Sequence, residues 1–284
     1  MTNDDMTRRS FVGIAAAGLA AGTVTTNAQQ QVVEKNVDIK TPDGTCDAAF
    51  IHPATGAHAA VIIWPDAFGL RQSMRDMGKR LAAENGYSVL VVNPYYRVAK
   101  GTVYPNAATV DFNAERDKLT PLMGSINAAG TVEKDAPAFV AWLDSQPQVD
   151  KTKKIGTQGY CMGGALVVRT AAAVPDRIGA GGSFHGGGLV TQQPTSPHLL
   201  APKIKARMYF GIASNDDQKQ PDAKDRLKKA FDDAKVPAQV EVYPARHGWC
   251  VPDMPTEAGA PIYSAPHAER AWSALLALYQ IALA

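Results

Sequence analysis

The chain has 284 residues, of which 45% are hydrophobic and 20% are charged, and its formal net charge is +2 at pH 7. This is an ordinary globular composition, and the length allows one large hydrophobic core or two small ones. The small net charge, with no cluster of Lys and Arg beyond the N-terminus, argues against nucleic acid or a membrane surface as a partner. Three cysteines are too few for a disulfide framework, although one pair, Cys46 with Cys250, remains possible.

The first 28 residues resemble an export signal. Arg8 and Arg9 precede a weakly apolar run rich in Ala and Gly at residues 13–24, and small residues at 26–28 form an acceptable cleavage site. The run is too short and too rich in Gly for a membrane-spanning helix. We expect residues 1–28 to be a twin-arginine signal peptide, read by the twin-arginine export machinery. The mature chain would then begin near Gln29 and work in a bacterial periplasm, without a membrane contact after signal removal. The alternative is a solvated basic N-terminus that precedes a buried helix.

After the signal, strand-like segments alternate with helix-like segments, which predicts a single α/β domain over residues 29–284. The domain opens with a predicted hairpin around the turn Pro42-Asp43-Gly44. Two predicted buried strands then flank a predicted helix, and the first of them, residues 59–64, is apolar throughout, which is typical of a strand buried on both faces. The predicted strands are residues 32–39, 46–51, 59–64, 87–94, 154–158, 177–184, 206–213 and 239–243. The predicted helices are residues 73–84, 132–145, 165–173, 223–234 and 266–282.

Residues 95–130 do not follow this alternation. The segment reads as turns and short polar pieces, and it is too long for a plain connection in a compact domain. We expect an insertion that forms a lid or a binding loop.

The stretch Gly159-Tyr160-Cys161-Met162-Gly163-Gly164 has the pattern of a nucleophile elbow, a sharp turn from strand to helix around one reactive residue. So tight a turn strains the backbone of the nucleophile, and side chains at the glycine positions would collide with the adjoining strand or helix. The positive end of the following helix favours the thiolate of Cys161. The N–H of Met162 would form half of an oxyanion hole. Taken alone, the pattern also fits a small buried cysteine in a Gly-rich turn.

Two later loops carry the partners that such a nucleophile needs. Asp216 and Asp217 follow the strand predicted at 206–213, and His247 follows the next predicted strand. This is the chain order of nucleophile, acid and base in an elbow fold. We predict that His247 is the base and that Asp216 or Asp217 orients it. His185 is a rival base, but it precedes the acid and fits the order poorly, so we expect it to line the pocket.

The second oxyanion donor is expected in the loop after the first buried parallel strand, where we assign the backbone N–H of Ala67. The chain has no spacing typical of metal ligands and no Gly-rich loop that would cradle a phosphate. We therefore expect neither a metal nor another cofactor.

Together these features resemble the dienelactone hydrolase family of α/β-hydrolases. The resemblance covers about residues 32–282. It is carried by the Gly-x-Cys-x-Gly-Gly elbow, the loop from Asp66 to Gly69, the Asn-Pro-Tyr-Tyr-Arg run at 93–97, the aspartate loop and the His-Gly-Trp loop at 247–249. It implies an α/β-hydrolase fold, with a mostly parallel eight-stranded sheet and helices on both faces. It also implies that a Cys-His-Asp triad cleaves small carboxylic esters or lactones through an acyl-thioester, as in a carboxymethylenebutenolidase.

The resemblance also implies a role for each matching position. Cys161 is the nucleophile, His247 the base and Asp216 the orienting acid, and Met162 and Ala67 are the oxyanion donors.

We further expect the substrate to contact side chains from several loops. These are Asp66, Phe68, Arg97, His185 and Trp249. Asp66 stands where the family tends to place a Glu that interacts with the resting thiol, and Arg97 matches an arginine that binds the substrate carboxylate. Val251 stands where a second arginine would complete that clamp, so a carboxylate would lack one bidentate partner.

Two other functions fit the sequence. A binding or carrier protein could keep this scaffold without turnover, since a fold does not fix a function. A periplasmic thiol sensor could pair Cys161 with Cys250, which lies three residues from His247. The ordered triad argues against the binding protein, and simple packing accounts for Cys250.

Overall fold

A computed structural model describes residues 30–284, so the predicted signal at residues 1–28 lies outside the described residues. The main strands are β1 (Val32–Thr41), β2 (Gly44–Pro53), β3 (Ala60–Trp64), β4 (Ser88–Val92), β5 (Ile155–Tyr160), β6 (Ile178–Phe184), β7 (Arg207–Ala213) and β8 (Ala238–Tyr243). They form one sheet in the order β1-β2-β4-β3-β5-β6-β7-β8. β2 pairs antiparallel with β1 and β4, and the six strands from β4 to β8 run parallel. The predicted eight-stranded, mostly parallel sheet is confirmed.

Helices cover both faces of this sheet. They are α1 (Gln72–Asn85), α2 (Arg116–Asn127), α3 (Thr131–Asp144), α4 (Met162–Ala173), α5 (Ser214–Lys219), α6 (Ala223–Asp233) and α7 (Ala265–Ala282). Helices α1 and α7 share one hydrophobic cluster with Ile63, whereas α3, α4 and α6 share the other with Ile62. Adjacent strand residues thus enter opposite layers, because successive side chains of a strand point to opposite faces. This explains why β3 is apolar throughout and why β4 is apolar apart from Ser88.

The register of the parallel strands determines where the site forms. Trp64 pairs with Gly159, Tyr160 with Phe184, and Ala213 with Tyr243. The carboxyl ends of these strands therefore meet at one edge of the sheet, which is where open α/β sheets place their sites. The loops that follow carry all three candidate triad residues.

The insertion between β4 and α3 is more regular than the sequence suggested. Where only turns and short polar pieces were predicted, the structure has a 3₁₀ turn at Ala107–Thr109 and the helix α2. Pro121 and Gly124 lie inside α2 and obscure its pattern. Its apolar residues nevertheless recur at helical spacing, as Leu119, Leu122, Met123 and Ile126. The insertion packs on the loop after β3 through a small cluster of Phe68, Tyr104, Ala107 and Leu119.

Three further features concern the described part of the chain. A small hairpin joins β9 (Thr256–Glu257) to β10 (Ala260–Pro261) shortly before α7. None of the helices within residues 30–284 has the length and apolar character needed to cross a membrane. Cys46, Cys161 and Cys250 are all free thiols, so the possible pairs of Cys250 with Cys46 or Cys161 are not formed.

Candidate active site

Cys161 joins β5 to α4 in a strained turn. Its backbone has φ 52° and ψ −116°, a conformation that non-glycine residues rarely adopt. Its N–H donates to Phe184 O at 3.1 Å and to His185 Nδ1 at 3.0 Å. Its carbonyl accepts from the N–H groups of Gly164 and Gly187, both at 3.0 Å. These four bonds hold the strained residue in place, as expected where backbone strain serves a site.

The elbow glycines are required by close backbone approaches. A Cβ at Gly159 would lie 2.2 Å from Gly163 O, and a Cβ at Gly163 would lie 2.3 Å from Trp64 O. Both contacts are too short for any side chain. The missing side chains let α4 start directly behind the sulfur, with its N-terminus directed at the reacting centre.

The structure brings His247 and Asp216 together. His247 Nδ1 lies 2.6 Å from Asp216 Oδ2, and the backbone N–H of His247 donates to Asn215 Oδ1 at 2.8 Å. Asp217 turns away and pairs with Lys224 at 2.7 Å. Of the two aspartates that the sequence left open, Asp216 is therefore the partner of the histidine. Both lie on α5, a short helix where the sequence predicted a plain loop.

His247 is held in its charged form. Burial opposes the imidazolium, but the negative charge of Cys161 and hydrogen bonds to Asp216 and Cys161 outweigh burial and raise the pKa of His247 to about 10. His247 is therefore protonated at neutral pH, beside the sulfur.

His185 is a buried neighbour of the site. Its side chain is only 1% exposed, so the prediction that it lines the pocket and contacts substrate is corrected. Burial and the nearby charge of His247 hold the pKa of His185 well below its ordinary value, so His185 stays neutral. Because its Nδ1 accepts the Cys161 N–H, its proton resides on Nε2. His185 supports the backbone of Cys161, and His247 remains the candidate base.

The two predicted oxyanion donors lie on adjoining elements. Ala67 follows β3 and Met162 is the first residue of α4, and within residues 30–284 neither backbone N–H donates to another protein group. Tyr95, to which no role was assigned from the sequence, links them. Its hydroxyl donates to Ala67 O at 2.7 Å and lies 3.6 Å from the Met162 sulfur. Tyr95 is fully buried, and burial raises the pKa of its hydroxyl, so it remains a donor.

Asp66 has a different partner from the predicted thiol. Its two carboxylate oxygens accept from Arg71 Nη1 at 2.7 Å and Nη2 at 2.9 Å. Asp253, in the loop after His247, accepts from the other edge of the same guanidinium at 2.7 and 2.8 Å. The prediction that Asp66 interacts with the resting thiol is corrected, because an arginine missed in the sequence occupies its carboxylate. In the sequence, this ion pair is indicated by the position of Arg71, five residues after Asp66.

Arg97 is likewise paired with carboxylates of the protein. Its guanidinium bonds to Asp43 Oδ2 at 2.9 Å and to Asp135 Oδ1 at 2.7 Å. The prediction that Arg97 binds a substrate carboxylate is corrected, since these carboxylates already occupy it. Val251, at the position of the absent second arginine, is fully buried.

The two aromatic residues predicted to contact substrate are also enclosed. Trp249 is fully buried and stacks on Tyr243 with ring centroids 4.8 Å apart, so the prediction of a substrate contact is corrected. Phe68 is 4% exposed and packs edge-on against Tyr104 and Phe112 of the insertion. Phe68 thus connects the loop after β3 to the insertion.

A cleft of about 530 Å³ lies between α1 and α7. Its walls include Tyr160 and Phe184, the residues before Cys161 and His185, but neither Cys161 nor His247 lines it. The cleft is therefore separate from the reacting groups. Within residues 30–284, no group of three or more His, Cys, Asp and Glu side chains is arranged to hold a metal ion.

Known proteins share this sequence pattern and fold. The family described as the dienelactone hydrolase family matches residues 46–283. The carboxymethylenebutenolidase of Rhodococcus opacus is 25% identical over 229 residues, which covers 78% of this chain and 84% of the relative. That of Pseudomonas putida is 26% identical over 176 residues, which covers 61% of this chain and 70% of the relative. The solved structure m3DLH has a similar fold, with a TM-score of 0.72 at 23% identity over 89% of this chain and 99% of that one. Since the family match extends over most of the chain, the protein belongs to the dienelactone hydrolase family, as an ester or lactone hydrolase with the α/β-hydrolase fold.

Proposed function

We propose that this protein hydrolyses small, neutral carboxylic esters or lactones through an acyl-thioester on Cys161. The observation that carries the proposal is the environment of His247, which lies 2.6 Å from Asp216 and has its pKa raised by Cys161 and Asp216 against burial. A thiolate is the nucleophilic form of cysteine, and an adjoining imidazolium favours it. The three groups would therefore act as one unit at neutral pH.

In the first half of the reaction, the Cys161 thiolate attacks the carbonyl carbon. A C–S bond forms, and the carbonyl electron pair moves to oxygen, where the N–H groups of Ala67 and Met162 would hold it. As the C–O bond breaks, His247 gives its proton to the departing alcohol oxygen. An ester leaves a free alcohol and the acyl-thioester, whereas the alcohol of a lactone stays attached to the acyl group.

In the second half, neutral His247 accepts a proton from water while the water oxygen attacks the thioester carbon. The C–S bond breaks, the carboxylic acid leaves, and the pair of thiolate and imidazolium is restored. Asp216 would keep the Nδ1 proton of His247 directed at its carboxylate, which leaves Nε2 to exchange protons with sulfur, alcohol and water.

The proposal of a neutral substrate rests on the arginines. Recognition of a carboxylate usually requires a free bidentate guanidinium. Arg97 already bonds to two carboxylates, and Val251 provides no charge. Paired esters that differ only by a free carboxylate would test this point, and we expect the neutral ester to have the higher kcat/KM. A higher kcat/KM for the carboxylate ester would contradict it.

The main test is hydrolysis of 4-nitrophenyl acetate by the protein and by Cys161→Ala. We expect the variant to lose activity by a factor on the order of 10³ or more, as for other nucleophiles of a triad. Cys250→Ala is the matched control and should keep the rate. Peptide mass spectrometry of the quenched reaction should place the acetyl group on Cys161. Hydrolysis by Cys161→Ala at an undiminished rate would remove the proposal.

We also propose that the chain is exported through the twin-arginine machinery to a bacterial periplasm. The support is the sequence alone, namely Arg8 and Arg9 before the apolar run at residues 13–24. Replacement of both arginines by Lys should retain the protein in the cytoplasm of a bacterial host, as measured by cell fractionation. Unchanged export of that variant would contradict the proposal.

A further inference from the structure

We infer that Arg71 is a positioning residue that holds the oxyanion loop (residues 65–69) in register with the histidine loop (residues 244–255). The inference rests on the proposed acyl-thioester mechanism, because it concerns the Ala67 N–H that would bind the oxyanion. Arg71 is the N-cap residue of α1, and its side chain is fully buried. An arginine without solvent contact needs protein acceptors for all its donors.

The guanidinium of Arg71 has five N–H groups, and the structure gives it five acceptor contacts. Nε and Nη2 donate to Asp253, Nη1 and Nη2 donate to Asp66, and Nη1 also donates to Gly69 O at 3.3 Å. Two bidentate pairs on one planar group fix the relative positions of two carboxylates in a way that a single charge would not. Because Asp66 belongs to the oxyanion loop and Asp253 to the histidine loop, Arg71 joins the two loops.

Hydrogen bonds to Asp66 extend this constraint to the backbone around Ala67. Asp66 Oδ1 accepts the N–H of Phe68 at 2.9 Å, and its backbone carbonyl accepts the N–H of Gly69 at 3.0 Å. The residues on both sides of Ala67 are therefore fixed by Asp66. The direction of the Ala67 N–H depends on the orientation of the peptide between Asp66 and Ala67, which these bonds determine. A preoriented donor stabilises developing charge without reorganisation during the reaction.

Asp253 extends the same network to the insertion. Its Oδ2 also accepts the N–H of Ala107 at 3.2 Å. The oxyanion loop, the histidine loop and the insertion are thus connected through the pair of Arg71 and Asp253. Two carboxylates and one arginine leave a formal charge of −1 near the place where an oxyanion would form, so the position of this cluster matters electrostatically as well as sterically.

The experiment compares two reactions of the same sulfur. Acylation by 4-nitrophenyl acetate needs the oxyanion hole, whereas alkylation by iodoacetamide forms no oxyanion and needs only the thiolate. Both are measured as single-turnover rates, with the labelled peptide identified by mass spectrometry. Arg71→Lys keeps the charge but loses the planar pair of bonds. We expect its acylation rate to fall by roughly 10- to 100-fold, less than for outright removal of an oxyanion donor. Its alkylation rate should stay within about 2-fold of that of the unmodified protein.

Asp253→Asn provides a second variant, because it keeps the size of the side chain and leaves the Asp66–Arg71 pair intact. We expect the same selective loss of acylation, in a smaller amount. Arg75→Lys is the control: Arg75 lies one turn further along α1 and pairs with Glu34 at 2.7 Å, away from both loops. Equal losses of acylation and alkylation, or no loss of acylation in either variant, would overturn the inference while leaving the role of Cys161 to its own test.

Discussion

At the scale of single residues, two adjacent aspartates have different partners, and this difference predicts different kinetics. Asp216 lies against His247, whereas Asp217 lies against Lys224. Asp216→Asn removes the negative charge that orients and stabilises the imidazolium, so we expect kcat for 4-nitrophenyl acetate to fall by a factor on the order of 10² to 10⁴. Asp217→Asn should change kcat by less than about 2-fold. Similar losses in the two variants would show that Asp216 has no special role.

Tyr95 provides a second prediction at this scale. Tyr95→Phe removes the hydroxyl that donates to Ala67 O, and it leaves that carbonyl without this partner. We expect a loss of about 1–3 kcal/mol in the free energy of unfolding and a drop in kcat/KM of roughly 10-fold, because the oxyanion loop loses one of its fixed points.

Tyr87→Phe is the matched control for Tyr95→Phe. Tyr87 packs edge-on against Tyr279 and precedes β4, so it lies at the amino ends of the parallel strands, opposite the edge that carries the oxyanion loop. In denaturant unfolding and steady-state kinetics, Tyr87→Phe should have a free energy of unfolding and a kcat/KM close to those of the parent protein. If Tyr95→Phe behaved like Tyr87→Phe, the hydroxyl would have no part in the site.

The sequence alone could predict the positions of some residues of the candidate site but not of others. The elbow could be predicted because its glycines and its reactive residue are neighbours in the chain and follow from local sterics. The choice of Asp216 over Asp217 came from the resemblance, because the order of the loops left both open and the difference depends on a lysine in the next helix. Arg71 and Asp253 were missed because their partnership spans 182 positions and leaves no periodic pattern. Arg97 and Trp249 were assigned from resemblance, and tertiary packing gave them other neighbours.

At the scale of elements, the contact between α4 and β3 sets a steric limit on the elbow. A Cβ at Gly163 would lie 2.3 Å from Trp64 O and 2.7 Å from Pro65 O, both backbone atoms that cannot move aside cheaply. We expect Gly163→Ala to lose more than about 3 kcal/mol of stability or to fail to fold. A folded variant would have a displaced α4 and little activity. Gly163→Ala at parental stability, in denaturant unfolding, would contradict this account.

Gly124 provides the opposite case on α2. No atom lies within 4 Å of a Cβ built there, and its φ is not in the left-handed region. Gly124→Ala should therefore raise stability by up to about 1 kcal/mol, because alanine favours the helix. Measured in the same unfolding assay, the two glycine variants should shift the midpoint in opposite directions.

The longest helix that was not predicted from the sequence is also α2. Its apolar stripe is regular, but a proline and a glycine inside it give the signature of a loop. The helix is defined by its packing, since Leu119 joins Phe68 and Tyr104 in a cluster that forms only when the insertion folds back on the sheet edge. Local propensity was therefore outweighed by tertiary contacts, the usual reason for such errors. In the buried strands, local propensity and tertiary contacts favour the same structure, and their prediction was correct.

At the scale of the whole molecule, topology explains why three distant residues could be linked from the sequence. Cys161, Asp216 and His247 each follow a strand, and in a parallel sheet the carboxyl ends of the strands meet at one edge. The order of the strands then determines which loops are neighbours. Side-chain directions within those loops are decided by packing across layers. For this reason the predicted triad residues converge in the structure, whereas the predicted substrate contacts do not.

The raised pKa of His247 also links the stability of the whole fold to pH. An unfolded histidine titrates near 6.5, whereas His247 in the folded protein titrates at about 10. Between these values the folded state holds one more proton on this residue than the unfolded state does. The stabilisation is therefore fully present below about pH 6.5 and is lost as the pH rises through about 10. An unfolded cysteine is already mostly ionised at pH 9, so above that pH the histidine accounts for most of the difference.

The measurement compares the protein with the double variant Cys161→Ala/His247→Gln in guanidinium unfolding from pH 9 to 11. Lysines and tyrosines titrate in both proteins, so their effects cancel in the difference between the two free energies of unfolding. We expect that difference to shift by about 1 kcal/mol against the parent protein over this range. A difference that stays constant, or that shifts in favour of the parent, would mean that His247 does not carry an extra proton in the folded state. The pair of imidazolium and thiolate that the proposed mechanism requires would then be absent as well.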